Sequence, residues 1–308
     1  MIKYFGKAFK ITNDNLILAT PFILFLLLMS IYLGVLHNSS KELGVLILLL
    51  ITTLLMFSAF LAGWFFMFKK ALELDKKGIL LPEEKAKASF GLIKEFPVGI
   101  GEYFFSFVGG VILYGLLIAI FSYATYRMGL HFIGKMDLTI FQLKEALTSP
   151  SAMKAIVSSL SKDQLIKLNL WNFLSLGSMA LFSFITMIWP AQIIFKTKNP
   201  LFAFFKSIGF IFRNFFTAII LFVYLSLVNF VVSLVNTIST INPILYFVSL
   251  LIYFYFVVYV IVVVFLYYDA NSNEQKQEQD KYTCACGGNC GTDCYGQEQP
   301  CDKNGEGD

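Results

Sequence analysis

The sequence predicts an all-α polytopic membrane protein of six transmembrane helices, built as three helical hairpins, with interfacial helices and a disordered Cys-rich C-terminal tail. Three observations predict it. The 308 residues are 57% hydrophobic and 14% charged, where soluble domains average about 25% charged residues. Six apolar runs each reach the roughly 20 residues that a helix needs to cross a hydrocarbon core about 30 Å thick. Across all six, the only acidic or basic residue is Glu102. The strands of a membrane β-barrel would be alternating segments near ten residues long, which these are not.

The elements follow in chain order. Lys3, Lys7 and Lys10 precede the first span, Leu16–Leu36. Its long apolar stretch, with no small-x-small cleavage pattern behind it, reads as a retained signal anchor. Lys41 is the one base before the second span, Leu43–Phe68. The next connection contains "LPEEKAKASFGLIKEF", with Pro82 at a first helical position and Glu83 and Glu84 in the first turn. Exposed N–H groups favour negative charge there, so this is an interfacial helix. The third span is Val98–Tyr126, and the long loop 127–170 follows. Asp137, Ser149–Pro150 and Ser161 read as successive helix starts, and Met153, Ile156, Val157 and Leu160 as an apolar stripe. Short amphipathic helices capping the outer face are expected.

The fourth span is Trp171–Phe195. Pro190 within it, like Pro21 in the first span, is placed to bend its helix. "NPLFAFFKSIGFIFRNFF" then places Lys206, Gly209 and Arg213 on one side of a helix and Phe205, Ile208, Phe212 and Phe215 on the other. Such a helix meets the lipid bilayer with its rings, and anionic lipids at the cytoplasmic face with its cations. The fifth and sixth spans are Phe215–Val235 and Ile244–Tyr268. Residues 1–269 thus form the transmembrane domain, 270–283 a polar linker and 284–308 the tail. The entries to the odd-numbered spans share a pattern: "AFKITNDNL" from Ala8, "SFGLIKEFP" from Ser89 and "SIGFIFRNF" from Ser207. Each begins small, apolar, Lys or Gly, apolar, which is the basis for three hairpins in series.

Orientation follows from Lys and Arg, which resist translocation. Seventeen fall on the side of the termini and seven on the other, six of those in or beside the long loop. Both termini are expected in the cytoplasm of a bacterial inner membrane. Residues 1–269 carry a net charge of +9 and residues 270–308 a net charge of −5. Exposed attraction between the two is weak at physiological salt.

Three groups of residues are candidates for chemistry. Glu102, about one turn into the third span, is an ionisable group in lipid and hence a candidate for proton or substrate coupling; its near-cytoplasmic position lets it reach a lysine such as Lys94 instead. Ser226, Asn229, Ser233 and Asn236 recur at i, i+3, i+7 and i+10 on the fifth span and share a face. In lipid they are expected to point into the bundle, toward Tyr246, Ser249 and Tyr253 or toward Ser183, Thr186 and Gln192, as helix–helix contacts or as the lining of a polar path. All five cysteines, Cys284, Cys286, Cys290, Cys294 and Cys301, lie in the tail with spacing C-x-C-x3-C-x3-C-x6-C. Thiolates suit Zn, Cu(I) or an iron–sulfur cluster, yet no C-x2-C pair is present, and thiol redox chemistry and disulfides are the alternatives. His37 and His131 have no second histidine at metal-ligand spacing. No phosphate-binding glycine loop, Walker motif or nucleophile elbow is present, and nothing calls for a nucleic-acid partner.

"GKAF" at Gly6–Phe9, "NPLFAFFKS" at Asn199–Ser207 and "YYDA" at Tyr267–Ala270 give residues 1–270 a resemblance to bacterial six-span membrane proteins, including the membrane domains fused to some glycerophosphodiester phosphodiesterases. The resemblance implies a multi-span inner-membrane module. It brings no phosphodiesterase activity, because that catalytic domain is not in this sequence. The expectation is a non-enzymatic scaffold, a lipid-associated component or an accessory subunit with a metal-binding tail. A small-solute or metal-ion transporter using the fifth-span stripe, and a membrane-bound thiol redox protein, are the alternatives.

Overall fold

The computed structural model describes residues 2–37, 43–78, 82–135, 154, 158 and 160–286. Among them there is no strand, and six helical stretches are long and apolar enough to cross a membrane: Leu16–Gly34, Gly44–Lys76, Glu83–Phe132, Lys162–Phe195, Phe215–Ser239 and Pro243–Ser272. These are the six runs expected from the sequence, most of them extended at one or both ends.

The first hairpin is led by α1 (Ile2–Asp14), followed by a 3-10 turn over Leu16–Leu18, α2 (Ala19–His37) and α3 (Leu43–Lys76). Pro21 falls in the first turn of α2, where its missing N–H costs no helix bond. The second hairpin is led by α4 (Pro82–Gly91) and a 3-10 turn over Leu92–Lys94, then α5 (Glu95–Phe132) and α6 (Lys162–Thr186). Ser161 caps α6 in a reciprocal box with Gln164, so that expected start is correct; Asp137 and Ser149–Pro150 lie outside the described residues. Met187 and Ile188 separate α6 from α7 (Trp189–Phe195), with Pro190 in the first turn of α7. The fourth span is therefore two helices. The third hairpin is led by α8 (Pro200–Arg213), capped by the Asn199 side chain, which accepts from the Leu201 and Phe202 amides. It continues as α9 (Phe215–Ser239) and α10 (Pro243–Cys286). The backbone of α10 stays helical through 270–283, a stretch with no Gly or Pro to stop it.

The three lead-in helices share a register of burial. Ala8 and Ile11, Ser89 and Leu92, and Ser207 and Phe210 are all buried, so the common pattern in the sequence marks an inward-facing i, i+3 pair at each entry. On α8 a third face, Ala203, Phe204, Ser207, Phe210 and Ile211, enters the core; it separates the exposed Phe205 and Phe212 from the cations only in part.

The core sits at one end of the bundle, the end that carries α1, α4 and α8, here termed proximal. It is aromatic. Trp64 donates to the Leu18 carbonyl at 2.7 Å and stacks with Phe22 and Phe60, ring centroids 5.0 and 4.9 Å apart. Phe265 of α10 meets Phe65, Phe68 and Phe195 from α3 and α7. Glycines let α3 and α5 approach: a Cβ on Gly99 would lie 2.5 Å from Phe66 Cβ and 2.9 Å from the Ala62 carbonyl. Toward the opposite, distal end, the apolar faces of α2, α9 and the start of α10 are exposed, as lipid-facing helices require.

Candidate functional site

The buried polar groups of the proximal core satisfy one another. Tyr268 donates to Gln192 Oε1, joining α10 to α7. Tyr267 and Thr217 share a hydrogen bond of 2.8 Å, and Tyr224 and Tyr259 one of 3.0 Å. Thr186, which the sequence offered to the fifth-span stripe, bonds its own helix at the Phe182 carbonyl, 2.9 Å. Among the described residues, Thr12 Oγ1 is the one fully buried side-chain atom without a partner.

Glu102 lies on the flank of this core. Its carboxylate pairs with Lys198 at 3.1 Å, and both side chains are well exposed, 37% and 59%. The partner is thus Lys198 from the α7–α8 connection, not Lys94. Beside it the carbonyl of Ile194, near the end of α7, accepts from Tyr103 at 3.2 Å and from Lys69 at 3.4 Å, cations at a helix C-terminus being favourable. Lys198 also lies over the Tyr103 ring, 5.2 Å from its centroid. This constellation fastens α3, α5 and α7 together at the proximal end.

The stripe on α9 does not converge on the bundle interior. Ser226, Asn229 and Ser233 are exposed, and only Asn236 finds an expected partner, accepting from Ser249 of α10 at 3.0 Å. The face of α9 that packs inward carries Ala218, Leu221 and Leu225, roughly 100° around the helix from Ser226.

Charges gather instead where α1, α3 and α4 meet. Lys7 pairs with Asp75 at 3.0 Å, Lys85 with Asp14, and Lys76 of α3 with Asp269 of α10 at 2.6 Å. A chamber of ≈ 150 Å³ lies among Lys10, Asp14, Asp75, Lys85 and Ser89. A second cavity of ≈ 380 Å³, lined by Leu16, Ile17, Ala86 and Phe90, shares Asp14 and Ser89 with it. Sequence reading missed this site because it joins three segments far apart in the chain. The lysines of the lead-ins were visible only as orientation signals. A third cavity, ≈ 360 Å³, lies between α5 and α6 toward the distal end. It holds Ser122, Ser175 and Ser183, with Thr125 and Ser178 bonded across it.

Among the described residues no group of three or more His, Cys, Asp or Glu side chains is placed to hold a metal ion. Cys284 and Cys286 fall on the last turn of α10, while Cys290, Cys294 and Cys301 lie outside the described residues.

The motifs behind the family resemblance all fall at the proximal end: Ala8 of "GKAF" is buried, Asn199 of "NPLFAFFKS" caps α8, and "YYDA" supplies Tyr267, Tyr268 and Asp269 to the contacts above. No protein-family model, curated protein or solved structure matches the chain.

Proposed function

We propose that this protein is a non-catalytic, lipid-associated scaffold or accessory component of a bacterial cytoplasmic membrane, with both termini in the cytoplasm. The observation that carries the reading is the exposure of Ser226, Asn229 and Ser233. A transporter needs polar groups converging inside the bundle. Here the proximal core is closed by Trp64, Phe65, Phe68, Phe195 and Phe265 in mutual ring contact, and Tyr267, Tyr268, Thr217 and Gln192 are hydrogen-bonded to one another in pairs. Glu102, the one ionisable group expected in a span, is paired at the boundary.

Reconstitution into liposomes tests this. A scaffold predicts no flux of small solutes or divalent metal ions above protein-free vesicles; uptake that falls on Asn229→Leu or Glu102→Gln would establish the transporter instead. The cysteine tail adds a soft-metal site to this reading, through the thiolates of Cys284–Cys301. Stoichiometric zinc, copper or iron that disappears on deleting residues 284–301 is the expected metal analysis, and metal-free protein with five freely alkylated thiols would remove the site.

A further inference from the structure

We infer that the chamber where α1, α3 and α4 meet binds the phosphodiester of a single anionic glycerophospholipid, with an acyl chain lying in the adjoining apolar groove. Two unspent groups face the chamber. Lys10 has no ion-pair partner among the described residues, whereas the other lysine lining it, Lys85, is engaged with Asp14. Ser89 is 7% exposed, lines both cavities, and its hydroxyl has no partner among the described residues. Its oxygen is open to the chamber and not sealed in the core, so its O–H is free to donate to an acceptor oxygen held there.

Charge selects the ligand. Lys7, Lys10 and Lys85 face Asp14 and Asp75, which leaves one positive charge in surplus. A phosphodiester with one negative charge and no ammonium balances it. The ammonium of a zwitterionic headgroup would have to compete with Lys7 or Lys85 for carboxylates already paired. The groove selects a lipid over a free phosphate. Leu16, at the start of the first span, and Phe90, 67% exposed on α4, line it, at the depth where headgroup gives way to acyl chain. This inference rests on the reading of the protein as lipid-associated, but it fails separately, because a protein that moves no solute can still lack a headgroup site.

The test uses the full chain in detergent, titrated with phosphatidylglycerol, phosphatidylethanolamine and phosphatidylcholine and read by native mass spectrometry. The wild type is expected to retain one phosphatidylglycerol in preference to the other two. Lys10→Ala should weaken retention about tenfold, the scale of one charge-assisted hydrogen bond. Ser89→Ala should weaken it less, and Lys206→Ala, on the remote α8, should leave it unchanged. Equal retention of all three lipids would overturn the inference. So would unchanged phosphatidylglycerol binding in both Lys10→Ala and Ser89→Ala, provided each variant elutes and melts as the wild type does. Displacement of the lipid by millimolar glycerol phosphate would overturn the lipid assignment in favour of a soluble phosphate.

Discussion

A methyl group at Gly99 has nowhere to go. Its neighbours at 2.5 to 3.0 Å are Phe66 Cβ, the Ala62 carbonyl and Gly63 Cα, two of them backbone atoms that cannot swing aside. Gly99→Ala should therefore push α3 from α5 and cost about 1–3 kcal/mol. Gly115→Ala, on the same helix with nothing within 4 Å, should be neutral; thermal melts in detergent compare the two. Tyr268→Phe makes a different demand. It strands Gln192 Oε1 in a site where the glutamine is 4% exposed, at about 1–3 kcal/mol for an unsatisfied buried acceptor. Glu102→Gln breaks an exposed pair with Lys198 and should cost about 1 kcal/mol or less. A melt lowered as much by Glu102→Gln as by Tyr268→Phe would mean that the boundary pair is more desolvated than its geometry indicates. The cost of an ionisable residue in a span depends on depth and partner. Sequence gave Glu102 its approximate depth, whereas its partner came from a loop nearly a hundred residues away.

At the scale of elements, α9 separates what its sequence discloses from what it withholds. Its existence and length are legible, because an apolar run of this size has no other stable environment. Which of its faces packs inward is not. A soluble amphipathic helix marks its buried face by contrast with a polar one, but a helix in lipid is apolar all round. The polar stripe is the directional mark its sequence offers, and it points inward on the premise that polar groups in lipid seek protein partners. Asn236 follows the premise and Asn229 does not. The two asparagines therefore predict opposite responses. Asn236→Leu removes the link between α9 and α10 and leaves Ser249 the Tyr246 carbonyl at 2.8 Å, so it should destabilise by about 0.6 kcal/mol. Asn229→Leu should leave the melt unchanged or raise it, since an exposed amide is exchanged for a side chain that lipid accepts. The lead-in helices were more legible than the spans in one respect. Ala8, Ser89 and Ser207 open the shared pattern, and each is a buried small residue with a buried apolar one three places on.

For the whole molecule, the arrangement concentrates packing, ion pairs and paired buried polar groups at the proximal end, and leaves the distal halves of α2 and α9 to lipid. Summed charge foretold only part of this. Basic residues orient a chain as it inserts, largely without regard to Asp and Glu, so the 17 to seven imbalance acts before Lys7, Lys76, Lys85 and Lys198 meet their carboxylates. In the folded protein five of those seventeen, Lys7, Lys70, Lys76, Lys85 and Lys198, are ion-paired among the described residues. Proximal means cytoplasmic if this order of events holds, and the native cysteines can report it without engineering, because all five lie between residues 284 and 301. A membrane-impermeant maleimide applied to intact cells, with a chelator present to free the thiols, should leave the protein unmodified, and the same mixture should label it once the membrane is opened. A cysteine introduced at Ser151, in the long loop on the opposite side, should show the reverse, reacting in intact cells. Labelling of the native chain in intact cells would invert the topology. It would also move the tail thiols into an oxidising compartment, where disulfides rather than soft-metal thiolates become the expected chemistry.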